Sequence, residues 1–179
     1  MKIFINPGHD LTCDPGACGH GLKEANVVSE VARHLENYLA ALGHDVVMNV
    51  QDDDLAYVCA AANASACDIF ISIHCNAALN IWANGTETFA CSNKGQKLAA
   101  CVQRSIVDAL DTADRGVKYA NFYVLKHTSM PAILVELAFI TSEEDAQLLA
   151  TRQEEFARAI ARGIEMAAKK LSAGSFYSS

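Results

Sequence analysis

Short apolar runs typical of buried strands alternate with helical patterns along this chain, and that alternation limits its fold more than any other feature. The clearest runs are residues 3–5, 69–73 and 132–135, which read as strands buried on both faces. Between them, apolar residues recur at helical spacing, as in 27–42 and 156–171. Strands that alternate with helices, without an internal repeat, predict a single α/β domain in which a mostly parallel central sheet carries helices on both faces.

Weaker patterns predict the remaining elements. Further strands are expected at residues 46–47, 86–91 and 122–125, and further helices at 55–62 and 98–110. Gly43 stands where a C-terminal cap ends the first helix. Two pairs have capping-box spacing and predict helix starts: Ser142 with Asp145, and Thr151 with Glu154.

Composition excludes several classes of partner. The net charge is −7 and no Lys/Arg cluster is present, so neither nucleic acid nor an anionic membrane is an expected partner. No apolar stretch approaches the roughly 20 residues of a membrane span. The first ten residues, MKIFINPGHD, lack the apolar core of a signal peptide. We therefore expect a monomeric protein that is made in the cytoplasm without an export signal.

Seven cysteines are present, and no two of them form a C-x-x-C pair. An odd number without paired spacing does not indicate a disulfide framework, so most are expected to be small buried thiols. The alternative is a second metal or redox site at Cys13, Cys18 and His20, although neither the spacing nor a fourth ligand supports it.

Ionisable residues follow three of the predicted strands, and a fourth begins the first helix. His9 comes just after the first strand, His74 follows the run IFISI, Glu136 follows AILV, and Glu24 follows a glycine-rich loop. Open α/β sheets bind ligands at the carboxyl ends of their strands. Two imidazoles and a carboxylate suit zinc and leave a position for water, whose proton another carboxylate can accept. Alternatively, each is a separate polar group, satisfied in the core or at a helix end.

Several motifs occur in a fixed order and together cover about residues 1–170: INPGHD, GLKE, CDIFISIHCNA, NGTETF, DRGVK and FYVLKHTSMPAILVELAFI. This set resembles the zinc-dependent N-acetylmuramoyl-L-alanine amidases of the type-3 domain. The resemblance implies that His9, Glu24 and His74 bind Zn²⁺ and that Glu136 is the catalytic carboxylate. It also implies that the substrate is peptidoglycan, cut between the lactyl group of N-acetylmuramic acid and L-alanine.

From the same resemblance we expect a catalytic domain at residues 1–172, followed by a flexible tail or the start of a linker at 173–179. A wall substrate without an export signal indicates the catalytic domain of a phage or prophage lysin, released to the wall when the membrane is breached. A housekeeping amidase with a truncated leader, or one exported by a non-classical route, is the alternative.

The chain departs from the usual family pattern at a few positions. The family usually shows Asp-Pro-Gly-His-Gly-Gly where this chain has NPGHDL, Gly where Ala138 stands, and Arg where Val58 stands. None of these departures removes a predicted ligand or base. One hypothesis is that Asp10, in the first motif, contacts His9 or a substrate amine.

Other function classes fit the sequence less well. A catalytically silent peptidoglycan-binding module would be expected to lack a ligand or Glu136. A zinc peptidase or deaminase usually shows H-E-x-x-H or a paired-Cys signature, and neither is present. Trp82, in a loop after His74, either stacks on a sugar or peptide or covers the edge of the core.

Overall fold

Eight strands and six helices alternate through the part of the chain that the computed structural model describes, which is residues 1–49, 51, 52 and 54–174, without the side chains of 171–174. The strands are β1 (Lys2–Pro7), β2 (Cys18–Gly19), β3 (Leu22–Lys23), β4 (Asp45–Met48), β5 (Ile69–Asn76), β6 (Thr86–Ala90), β7 (Asp114–Tyr119) and β8 (Ala132–Phe139). The helices are α1 (Glu24–Ala41), α2 (Leu55–Ala64), α3 (Asn93–Leu110), α4 (Tyr123–His127), α5 (Glu143–Thr151) and α6 (Gln153–Gly174). None of these helices has the length and hydropathy that a membrane span requires.

Six of the strands form one sheet in the order β4-β1-β5-β8-β6-β7, while β2 and β3 form a small separate hairpin. Neighbouring strands of the large sheet are parallel, except that β6 runs antiparallel to β8. The prediction of a single α/β domain with a mostly parallel sheet is confirmed. Strands β4 and β7 are the sheet edges.

The two faces of this sheet are covered unequally, because successive side chains of a strand point to opposite faces. On one face, residues such as Ile71, Ile73 and Val135 pack against α1, α3 and α6 in the main hydrophobic core. On the other face, a smaller core forms where Phe70 and Leu134 pack under the short helices α2 and α4. Further along β5 and β8, this second face becomes polar. We call this part of the second face the polar half.

One expectation about secondary structure is wrong, and one strand was not expected. Residues 122–125 were expected to form a strand, but Tyr123–His127 is helix α4, whose Val124 and Leu125 are buried against α2. Conversely, β7 was not predicted. Its sequence, DRGVKY, is polar because an edge strand is half exposed.

The two predicted capping boxes also do not form. Ser142 is the N-cap residue of α5, but its side chain makes no capping hydrogen bond. Thr151 is the last residue of α5 and does not begin α6. Helix α1 does end before Gly43, as expected, and that glycine has a positive φ.

The predicted tail at 173–179 falls mostly outside the described residues. Ala173 and Gly174 belong to α6, and residues 175–179 are not described.

Candidate metal centre

His9, Glu24 and His74 come together from three separate elements. His9 lies in the loop after β1, Glu24 is the first residue of α1, and His74 lies on β5. One ligand atom from each residue lies within 4.8 Å of the other two. Glu24 stands between the imidazoles, with Oε2 3.1 Å from His9 Nε2 and Oε1 3.1 Å from His74 Nδ1. The three residues singled out in the sequence therefore form one cluster.

The Glu24 carboxylate is held by the backbone as well as by the two imidazoles. It is only 3% exposed, and it accepts hydrogen bonds from the backbone N–H groups of Ala17 and Cys75. Its place in the first turn of α1 also suits a negative charge, because the helix dipole is positive there. Both carboxylate oxygens are thus fixed in direction before any ligand binds.

Each imidazole has a second partner on its far side, and that partner determines which nitrogen faces the cluster. His9 Nδ1 is 2.7 Å from Asp14 Oδ2, and because a carboxylate only accepts, Nδ1 carries the proton. Ser72 Oγ donates to Asn6 Oδ1 and must therefore accept from His74 Nε2, which is 3.1 Å away. His9 Nε2 and His74 Nδ1 are therefore the nitrogens that face Glu24, and each offers a lone pair to a metal ion once it carries no proton.

The pKa values reflect this clustering of opposite charges. Hydrogen bonding to Glu24 raises the pKa of His9 to about 9, against the effect of burial, and Asp14 adds to the rise. Burial alone would raise the pKa of Glu24, but the hydrogen bonds from His74 and His9 outweigh it and hold that pKa well below its usual range. The hydrogen bond from His9 likewise lowers the pKa of Asp14. The acidic members of the cluster are therefore ionised at neutral pH.

Glu136 lies beside this cluster on the polar half of the sheet. Strand pairing places it directly opposite His74 on β5 and directly opposite Glu87 on β6. Its Oε2 atom is buried and has no hydrogen-bond partner among the described residues. Burial raises the pKa of Glu136 to about 7, helped by the negative charges of Glu24 and Glu87 and opposed by His74. A carboxyl that has a buried oxygen without a partner and a raised pKa is typical of a functional group rather than a structural one.

Sequence reasoning missed the residues on the far side of the imidazoles, which are Asp14, Ser72 and Asn6. It proposed Asp10 instead, as a contact of either His9 or a substrate amine. The Asp10 carboxylate turns back on its own loop, where Oδ1 accepts hydrogen bonds from Thr12 and from the backbone N–H of Cys13. The Asp-Pro-Gly sequence after Cys13 indicates a turn, and that turn is what carries Asp14 towards His9.

The other candidates from the sequence fall outside this cluster. Among the described residues, Cys13, Cys18 and His20 do not form a second metal-binding group. Cys13 and Cys18 are exposed, whereas Cys59, Cys67, Cys75 and Cys101 are buried, as expected for small apolar side chains, and Cys91 is partly buried. Trp82 is 81% exposed, so it does not cover the edge of the core. It lines a cavity of about 250 Å³ together with His20 and Glu143.

Two imidazoles and a carboxylate that converge on one point, next to a carboxyl with a pKa near neutrality, are typical of hydrolases that activate water. The comparisons with known proteins identify the family. Residues 3–166 match the model of the N-acetylmuramoyl-L-alanine amidases, and the chain belongs to that family.

Individual proteins agree with this assignment. The chain is 40% identical to N-acetylmuramoyl-L-alanine amidase LytC of Bacillus subtilis over 90% of its own length, but it spans only 34% of LytC. It is 31% identical to the endolysin of Bacillus phage SPP1, covering 91% of this chain and 62% of the endolysin. Its fold matches that of the amidase AmiC2 of Nostoc punctiforme with a TM-score of 0.89 and 34% identity, over 94% of this chain and 97% of AmiC2.

Proposed function

We propose that this protein is a peptidoglycan hydrolase that cleaves the amide bond between the lactyl group of N-acetylmuramic acid and L-alanine. Family membership supports the type of reaction. The observation that carries the proposal is the unpartnered carboxyl of Glu136, which lies beside the cluster of His9, Glu24 and His74. The catalytic domain is residues 1–172, which include the whole of the matched range.

The cluster is proposed to hold one Zn²⁺ ion, with His9, Glu24 and His74 as its ligands. The donor set fits this metal, since zinc prefers imidazole nitrogen and carboxylate oxygen and keeps a position open in catalytic sites. The far-side partners Asp14 and Ser72 fit as well, because each occupies the outer nitrogen of an imidazole, and the inner nitrogen can then bind a metal ion when it carries no proton. When bound, zinc supplies Lewis acidity that polarises a carbonyl group and lowers the pKa of water.

Glu136 is proposed as the catalytic base and acid. In this role its carboxylate takes a proton from the attacking water, as the water oxygen forms a bond to the lactyl carbonyl carbon. The protonated carboxyl then gives that proton to the alanine nitrogen, as the carbon–nitrogen bond breaks. One water is consumed, and the products are the lactyl carboxylic acid and a peptide with a free amino end. A pKa near neutrality suits a group that both accepts and returns a proton.

Glu136→Gln tests this function, because it removes the proton acceptor while keeping the shape of the side chain. Loss of general acid–base catalysis lowers turnover typically by about 10²–10⁴-fold, and we expect a loss in the upper part of that range. Release of peptides with amino-terminal L-alanine from purified peptidoglycan is the measurement, with zinc content determined on the same sample. Near-normal turnover with zinc retained would show that Glu136 has no catalytic role.

The place of action is proposed to be the cell wall. The named relatives include both an amidase of a bacterium and an endolysin of a phage, so a bacterial origin and a phage origin each have a precedent among them.

A further inference from the structure

Next to Glu136, two cationic side chains form ion pairs with the same buried carboxylate. Arg115 Nε is 2.7 Å from Glu87 Oε2, and Lys118 Nζ is 2.5 Å from the same oxygen. The other oxygen of Glu87 accepts a hydrogen bond from Asn76. Glu87 itself is buried, whereas the side chains of Arg115 and Lys118 are 36% and 40% exposed. The two cations therefore share one negative charge and keep an open side towards solvent.

An irregularity in β7 brings both cations to the same side of the sheet. Residues three apart in a regular strand point to opposite faces. The pairing of β6 with β7 shifts register between Thr86 and Thr88, opposite Arg115 and Gly116. Gly116 has a φ of 82°, a left-handed conformation that favours glycine. Bulges of this kind re-aim side chains, and this one allows residues 115 and 118 to reach the same carboxylate.

Arg115 is held firmly and still has donors to spare. Its guanidinium carbon lies 4.7 Å from the centre of the Phe139 ring, and Nη1 donates to the backbone oxygen of Asn84. Among the described residues, no acceptor is found for Nη2. A rigid guanidinium with unused N–H groups is suited to binding a carboxylate through parallel hydrogen bonds.

Arg115 and Lys118 also lie close enough to Glu136 to contact the same substrate molecule. His74, Glu136 and Glu87 form a row across β5, β8 and β6, with neighbouring strands about 4.8 Å apart. Arg115 and Lys118 extend this row onto β7, so they lie roughly 5–10 Å from Glu136. An extended peptide advances about 3.3 Å per residue. A group one or two residues beyond the cleaved amide would therefore reach them.

We propose that Arg115 and Lys118 bind a carboxylate on the peptide part of the substrate, one or two residues beyond the cleaved amide. This inference rests on the proposed function. The lactyl carboxyl of the sugar is used up in the cleaved amide, so the remaining anionic groups of the substrate are in its peptide. Recognition of that carboxylate favours peptides with a free acid at this position over their amidated counterparts.

The test compares two muropeptides that differ only in whether the second peptide residue carries a free carboxylate or a carboxamide. We expect kcat/KM for the free acid to exceed that for the amide by about 10- to 100-fold, the range for a hydrogen bond to a charged group. A ratio near one in the unmodified protein would overturn the proposal, and this measurement needs no variant to fold.

Arg115→Gln and Lys118→Gln, each made singly, should lower that ratio towards one. Each variant leaves the other cation to pair with Glu87, so a buried carboxylate is not left without a partner. Arg104→Gln is the matched control, because Arg104 pairs with Asp108 on the exposed surface of α3. An equal fall for both muropeptides in the Arg115 and Lys118 variants would also overturn the proposal.

Affinity for both muropeptides is measured by calorimetry on the same samples, which separates this proposal from the proposed function. A protein that binds the free acid more tightly but cleaves neither muropeptide would refute the amidase activity and uphold the carboxylate site. A protein that cleaves both muropeptides equally and binds both equally would uphold the amidase activity and refute the carboxylate site.

Discussion

At the scale of single residues, the position of His74 depends on the absence of a side chain at position 8. A methyl group added to Gly8 would lie 2.2 Å from Cε1 of the His74 imidazole. Gly8 cannot easily move away, because its N–H donates to Ile73 and its oxygen accepts from Gln51. The backbone of the loop after β1 therefore forms one wall of the candidate metal centre.

Gly8→Ala is expected to displace the His74 imidazole while the rest of the sheet stays folded. The loss of ligand orientation should weaken zinc binding by about 10-fold or more, comparable to the loss of a supporting contact at a metal ligand. Competition with a chelator measures the affinity, and circular dichroism checks the fold. Zinc affinity equal to that of the unmodified protein would contradict this account of Gly8.

Asp14→Asn is expected to weaken zinc binding by about 10- to 100-fold. The amide oxygen can still accept from His9 Nδ1, but it lacks the charge that strengthens that hydrogen bond. Asp10→Asn is the matched control, since Asp10 lies in the same loop and contacts Thr12 and Cys13 rather than an imidazole. Equal losses in the two variants would mean that Asp14 acts only through the loop.

The main residues of the site were predictable from the sequence, and their supporting contacts were not. His74 and Glu136 attract notice because each interrupts an apolar strand where an ionisable group needs a partner. Asp14 has no such signal. Its contact with His9 depends on the path of the loop, including the left-handed conformation of His9 itself, with φ 65°. The sequence pattern does not specify that path, and so the sequence suggested Asp10, rather than Asp14, as a possible contact of His9.

At the scale of elements, Asp145 of α5 ties two strands of the sheet to that helix. Its Oδ2 accepts hydrogen bonds from the backbone N–H of Gly85, just before β6, and from that of Phe139, at the end of β8. The Asp145 side chain is buried. This contact fixes the antiparallel junction on which Glu87 and Glu136 face each other.

Asp145→Ala is expected to lower the free energy of unfolding by about 2–6 kcal/mol, because two buried N–H groups lose their acceptor at about 1–3 kcal/mol each. Urea denaturation measures the change. Glu143→Ala, at an exposed position in the same turn of α5, should change the stability by less than about 0.5 kcal/mol. Similar values for the two variants would argue against the bridging role of Asp145.

The sequence predicted the strands that are buried on both faces, but it did not predict the short helix α4 or the half-exposed edge strand β7. Strands β1, β5 and β8 are buried, and their apolar runs identify them. Helix α4 has only five residues, too few for a helical period to show, and its apolar residues resemble a short strand. Strand β7 pairs only with β6 and carries the site-facing cations, so its composition reflects its contacts rather than a buried position.

At the scale of the whole molecule, the proposed zinc ligands join parts of the chain that are distant in sequence. Residues 9, 24 and 74 lie on a loop, a helix and a strand. A metal that binds only the folded protein stabilises it by mass action, by about 4 kcal/mol at a free concentration 1,000 times its Kd.

Removal of zinc by a chelator is therefore expected to lower the melting temperature, and added zinc should restore it. Thermal unfolding followed by circular dichroism makes the comparison. The His74→Ala protein is the control, and its melting temperature should respond much less to the same zinc additions. An unmodified protein whose melting temperature is the same with and without zinc would contradict a ligand set that spans these three elements.

The unequal covering of the sheet has a consequence for the kind of molecule that can be cut. The row from His74 to Arg115 crosses four strands, about 14 Å at the usual strand spacing. It reaches the surface at both ends, where the side chain of His74 is 20% exposed and that of Arg115 is 36% exposed. A cell wall is a continuous mesh, and few of its chains have free ends. A site that is reached from the surface at both ends lets a peptide that is still held in the mesh lie along it and be cut from its sugar, without being threaded through an opening.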